Sequence, residues 1–111
     1  MTYEQVNTLI SAIATAIKCE YAYSAFKSGK RSRFLIFYYD DSDNFFADGT
    51  TYADIENLVI EYYSPNKDIK SEKTIQSLLT AAEIPYQKAS VYINDEALHM
   101  TRYDTEVLIN G

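Results

Sequence analysis

Few side chains in this sequence are of the types that carry out chemistry. His99 is its only histidine and Cys19 its only cysteine. Acid–base and nucleophilic catalysis need a base held beside a nucleophile or an orienting carboxylate, and zinc needs several such ligands. His99 stands between Leu98 and Met100 in a strand-like pattern, which favours a structural or surface role. We therefore expect no enzyme activity, no catalytic residue, no metal site and no cofactor.

The acidic residues offer two further patterns. Aspartates are dense in the middle of the chain, at Asp40, Asp41, Asp43 and Asp48. A calcium-binding EF-hand loop counted from Asp43 needs Gly and Glu where the chain has Asp48 and Asp54, so a solvated acidic loop is favoured. Asp54 and Glu56 share one face of a strand, like paired acids in glycosidases, but this spacing is common on half-exposed strands. The 3 glycines form no phosphate-binding loop.

Aromatic residues are in excess, with 11 Tyr and 5 Phe among 111 residues. Many stand in adjacent pairs, namely Tyr38–Tyr39, Phe45–Phe46 and Tyr62–Tyr63. Neighbouring strand residues face opposite sides of a sheet, so each strand pair predicts one ring on each face. One face must cover the core, and tyrosines on the other are typical of protein interfaces. The alternative is an outer face that tolerates Tyr because of its strand propensity.

A polar loop over 41–51 carries the remaining aromatic pair ahead of an Asp-Gly turn. Loops of this kind often carry binding residues. The predicted partner interface therefore joins this loop to the two tyrosine pairs, with the residues Asp43, Asn44, Phe45, Phe46, Asp48, Tyr38, Tyr39, Tyr62 and Tyr63.

Helical and strand periodicities define the elements. Thr2 and Gln5 form a capping-box pattern ahead of an apolar stripe, which predicts a helix over 3–18. A second helix is predicted over 67–83, capped by Asn66 or Asp68. Strands are predicted over 21–26, 33–40, 52–64, 86–93 and 97–109. The order α-β-β-β-α-β-β predicts an α+β fold: a mostly antiparallel sheet of about four to five strands with both helices on one face.

Length and charge narrow the class of protein. A chain of 111 residues fits a single domain over 1–111. Its net charge of −6 disfavours specific nucleic-acid binding, which needs a basic face. No signal-peptide pattern and no apolar run long enough to span a membrane is visible, so we expect a protein made and kept in the cytoplasm.

Several stretches are distinctive together: DNFFADGTTY at 43–52, NLVIEYY at 57–63, Lys67-Asp68, Ile84-Pro85-Tyr86 and the closing hairpin. With them, the chain from about Tyr21 onward resembles the tail-terminator, or tail-completion, proteins of long-tailed bacteriophages and of prophages of Gram-positive bacteria.

This resemblance implies a virion protein of the tail or neck, assembled in the host cytoplasm. It implies self-association into a ring, usually a hexamer, that caps the tail tube. The partners that it implies are the major tail protein and head-completion proteins. Two alternatives remain open: another neck component, such as a head-closure or minor capsid protein, and a small acidic regulatory binding module.

Overall fold

The computed structural model describes residues 1–26, 32–40 and 54–110. Over these ranges the chain forms two helices and five strands: α1 (Tyr3–Ile17), β1 (Glu20–Tyr23), β2 (Phe34–Asp40), β3 (Asp54–Ser64), α2 (Ile69–Ala81), β4 (Tyr86–Ile93) and β5 (Leu98–Ile109). The predicted element order and α+β class are confirmed. Neither helix combines the length and the apolar character that crossing a membrane requires.

A capping box fixes the start of helix α1, and a left-handed residue fixes its end. The Thr2 hydroxyl accepts a hydrogen bond from the Gln5 backbone N–H at 3.1 Å, and the Gln5 side chain accepts one from the Thr2 N–H at 2.8 Å. The predicted capping box is thus confirmed. Lys18 is left-handed, with φ 57°, and its N–H bonds to the Thr15 carbonyl. The helix therefore ends at Ile17, just short of the predicted boundary.

Asp68 decides where α2 begins. Its carboxylate accepts a hydrogen bond from the Ser71 N–H at 3.2 Å, so Asp68 is the N-cap and the helix starts at Ile69 rather than at residue 67. At the other end Glu83 is left-handed, with φ 59°, which directs the chain out of the helix toward β4.

The strands form a mixed sheet in the order β1-β2-β3-β5-β4. The β2–β3, β3–β5 and β5–β4 pairs are antiparallel, whereas β1 pairs with β2 in parallel. β1 stops at Tyr23, short of the predicted residue 26, because Ser24 turns the chain with φ 68° and donates its N–H to the Phe37 carbonyl at 2.8 Å. β5 starts at Leu98 because Ala97, with φ 53°, still belongs to the turn.

Both helices cover the same face of the sheet, as predicted. The sheet contributes alternate residues to the core, chiefly Leu35, Phe37, Leu58, Ile60, Tyr62, Tyr103 and Val107. The helices contribute Val6, Ile10, Ile13 and Ile17 from α1, with Ile75 and Leu79 from α2. Each such side chain stabilises the fold by about 1.5–3 kcal/mol when fully buried. No helix of the described residues packs on the opposite side, which we call the open face.

Candidate functional site: the open face of the sheet

An apolar row crosses the open face near one end. It runs in register from Phe34 on β2 through Tyr63 on β3 and Met100 on β5 to Val91 on β4. The rings of Phe34 and Tyr63 stack with their centroids 4.6 Å apart. Val91 is 50% exposed. Apolar side chains gathered on a sheet face in this way are typical of surfaces that protein partners cover.

A hydrogen-bonded group lies beside the apolar row. The Glu61 carboxylate accepts bonds from the Tyr38 hydroxyl at 2.8 Å and from the Tyr63 hydroxyl at 2.7 Å. Arg102 donates to the Tyr38 oxygen at 3.4 Å and holds Asp104 through Nε and Nη2 at 2.8–3.0 Å. These polar groups already bond one another, so a partner can cover them without leaving them unpaired.

The electrostatics of this group do not favour acid–base chemistry. Burial, and then the hydrogen bond to Glu61, raises the pKa of Tyr38 to about 12. The same two causes raise the pKa of Tyr63. The hydrogen bond to Asp104 raises the pKa of Arg102 above its ordinary value. The two hydroxyls therefore stay protonated near neutral pH, where they donate hydrogen bonds and do not act as bases.

The other end of the open face carries both acidic and exposed apolar side chains. The carboxyl-bearing residues Asp40, Asp104 and Glu106 line part of a shallow depression of about 560 Å³. Beyond it, Ile55 and Leu108 stand directly opposite each other on β3 and β5, and they are 51% and 58% exposed. Large apolar side chains are therefore exposed at both ends of the face.

The tyrosine pairs straddle the sheet as predicted. Tyr38 and Tyr63 lie on the open face, whereas Tyr39 and Tyr62 point to the helices. Tyr62 is only 1% exposed, and its hydroxyl donates to the Asp68 carboxylate at 2.6 Å. Its ring is therefore part of the core and is not available on the surface. Of the predicted interface, the structure brings Tyr38 and Tyr63 together through Glu61.

The other predicted interface residues belong to the 41–53 segment, which lies outside the described residues. They are Asp43, Asn44, Phe45, Phe46 and Asp48. The 27–31 segment, which joins β1 to β2, lies outside them as well.

The side chains first considered for catalysis lie apart from one another. His99 packs on the ring of Tyr92, with centroids 4.8 Å apart, in the β4–β5 hairpin. Burial raises the pKa of the Cys19 thiol to about 11, so the thiol stays protonated near neutral pH. In the ranges that the structure describes, His, Cys, Asp and Glu form no group of three that could hold a metal ion.

Arg33 forms a cluster that sequence reasoning missed. Its Nη2 donates to the Ile17 carbonyl at 2.6 Å and to the Ser71 hydroxyl at 3.2 Å, and its Nε donates to the Tyr62 hydroxyl at 2.8 Å. The guanidinium thus ties the end of α1 to the start of α2. No local sequence pattern predicts these contacts, because the residues that Arg33 bonds belong to three separate elements.

Glu72 was also missed, although a signal was present. Glu72 stands at helical spacing with Ile75 and Leu79 on the apolar side of α2, where a carboxylate is unexpected. It is 2% exposed, and its two oxygens contact Lys67 at 2.8 Å and Lys88 at 2.7 Å. Burial acts to raise the pKa of Glu72, but the two lysines outweigh it and lower that pKa.

Comparison with known proteins identifies a shared fold. No protein-family model and no curated protein match the sequence. Among solved structures, the chain is similar to one in the virion of a native gene transfer agent particle, with a TM-score of 0.66. The two sequences are 12% identical, and the alignment covers 96% of this chain and 92% of that chain. The likeness therefore extends over almost the whole fold.

Proposed function

We propose that this protein is a structural component of a phage or prophage virion. The observation that carries the proposal is the shared fold, which relates nearly the whole chain to a chain of a gene transfer agent virion. Proteins with one fold often differ in function, so the open face provides the second support. It presents exposed apolar side chains beside half-buried tyrosines and mutually bonded polar groups, which suits docking rather than catalysis.

More specifically, we propose that it caps the tail tube and contributes to head–tail joining in a long-tailed phage or prophage of Gram-positive bacteria. In this role it forms a ring of identical copies and contacts the major tail protein and head-completion proteins. The distinctive stretches at 43–52 and 57–63 support this position through their resemblance to tail terminators. In a ring each copy contacts its neighbours through two different surfaces.

Deletion of the gene, followed by electron microscopy and mass spectrometry of particles, tests both levels of the proposal. We expect peptides of this chain in purified wild-type particles, and overlong tails without heads in the deletion. Complementation by the wild-type chain is the control. Absence of the protein from intact particles would contradict a structural role.

The same images distinguish the neck alternatives. Tails of normal length without heads would place the protein at the joining step, as a head-closure protein. Normal particles in normal number would instead favour a small regulatory binding module. Either result would overturn tail capping.

A further inference from the structure

Acidic and basic side chains are distributed unevenly between the open face and the helix side of this molecule. The open face carries the acidic residues Asp40, Glu61, Asp104 and Glu106, and among described residues its only Lys or Arg is Arg102. The other described lysines and arginine lie on the helix side, namely Lys18, Arg33, Lys67, Lys70, Lys73 and Lys88. The open face is therefore acidic, whereas the cations of the helix side stand among acids of that side, namely Glu4, Glu56, Asp68, Glu72 and Glu83.

The helix side has a groove between the two helices, with a volume of about 400 Å³. We call it the helical groove. Lys70, Lys73 and Leu78 of α2 line it together with Ala16 of α1. Among the residues that the structure describes, no acidic side chain lines this groove. Both lysines are exposed.

The lysines of the groove lie at one end of the helix pair. Arg33 bonds both the last turn of α1 and the first turn of α2, so those two ends are adjacent. Exposed Lys18 follows that last turn of α1. The exposed acids Glu4 and Glu83 stand at the opposite ends of their helices, whereas the partly exposed Asp68 at the lysine end caps α2 and lies 3.6 Å from the Arg33 guanidinium.

We propose that copies of this chain associate head to tail, with the open face of one copy seated on the helical groove of the next. The acidic end of the open face, with Asp40 and Glu106, then meets Lys70 and Lys73, while exposed Leu108 packs against apolar groove residues. This places a helical layer over a sheet face that has none within a single copy. The inference rests on the proposed self-assembly and names the two surfaces that carry it.

Two open faces do not pair well with each other. Such a symmetric contact would bring several carboxylates of each copy against those of its partner, with Arg102 as the available cation on each side. Like charges placed together in an interface are repulsive. A contact between different surfaces avoids this repulsion and can repeat from copy to copy until a ring closes.

Charge reversal on each surface tests the proposal. One variant carries Asp40→Lys and Glu106→Lys on the open face, and the other carries Lys70→Glu and Lys73→Glu in the groove. We expect each variant alone to associate at least about tenfold more weakly than the wild type, because like charges now meet. We expect a 1:1 mixture to associate like the wild type, because each acidic surface again finds a basic one. Sedimentation velocity and light scattering measure the assemblies.

A matched control reverses two charges elsewhere. Asp95→Lys with Glu96→Lys changes the β4–β5 turn by the same net charge, and both residues are exposed. This control should assemble as the wild type does, and circular dichroism should show all variants folded. The inference is overturned if the mixture stays dissociated, if either variant alone assembles normally, or if the wild type is monomeric at every concentration. A wild type that is monomeric in solution but present in virions would leave the proposed role as a virion component standing.

Discussion

Glu72 places a carboxylate inside the helix side of the molecule, where two lysines from different elements reach it. Lys67 precedes α2 and Lys88 lies on β4, so the ion pair joins the helix to the edge of the sheet. A buried charge that loses its partners is costly, whereas an exposed pair contributes little. The lysines are 41% and 37% exposed, so solvent screens part of the attraction.

Replacing Glu72 by Gln should lower the free energy of unfolding at pH 7 by about 1–2 kcal/mol. Because folding lowers the pKa of Glu72, its contribution is present above the ordinary carboxyl pKa and is lost as pH falls through the folded value. The difference in unfolding free energy between wild type and variant should therefore shrink as the pH falls below the ordinary carboxyl pKa. Urea unfolding at a series of pH values measures it. Exposed Glu83→Gln serves as the control, and a difference independent of pH would contradict the argument.

Arg33 should be sensitive even to a conservative substitution. Lysine has one ammonium group and cannot reach the Ile17 carbonyl, the Ser71 hydroxyl and the Tyr62 hydroxyl together. We expect Arg33→Lys to cost about 1–2 kcal/mol of unfolding free energy. Arg102→Lys on the open face is the matched control, with an expected cost of about 0.5 kcal/mol or less. Equal losses in urea unfolding would show that the tie between α1 and α2 contributes little.

Residue patterns predict which face a side chain occupies better than they predict its partners. Alternation within a strand correctly separates Tyr38 from Tyr39 and Tyr62 from Tyr63. It does not say which face the helices cover, so it cannot show that Tyr62 is the buried member. The sequence alone does not predict the apolar row either, because the row depends on the register between four strands.

At the scale of elements, the hydroxyl of Thr2 determines where α1 begins. Thr2→Ala removes the oxygen that accepts from the Gln5 N–H and should cost about 1 kcal/mol. Thr2→Ser keeps a hydroxyl there and should be nearly neutral. Thr8→Ala is the control, because that hydroxyl bonds the Glu4 carbonyl within the helix and caps nothing. Thermal unfolding would contradict the capping argument if the two alanine variants were equally destabilised.

β1 shows where prediction of elements stops. It has four residues, and its parallel partner β2 begins only at Phe34. Capping residues and turns act between near neighbours and are visible in the sequence, whereas parallel pairing depends on contacts distant along the chain. The order β3-β5-β4 could not be predicted for the same reason. In it, β5 rather than β4 of the closing hairpin pairs with β3.

At the scale of the whole molecule, the acidic open face and the lysines of the helical groove predict how salt affects the proposed association. Salt screens attraction between charged surfaces, with a Debye length of about 10 Å at 0.1 M and about 3 Å at 1 M. Dissociation of the assembled protein should therefore increase steadily over this range in sedimentation experiments. Circular dichroism should show that single copies stay folded. Stronger association at high salt would instead indicate that apolar contacts dominate the interface.

The position of β5 also has a consequence for synthesis on the ribosome. β3 is the central strand, and one of its edges is paired by β2, which precedes it in the chain. Its other edge is paired by β5, which emerges last of the five strands. Until then, a nascent chain presents β3 with one row of backbone N–H and C=O groups unpaired. The sheet can therefore be completed only after β5 has been synthesised, and the β4–β5 hairpin completes it.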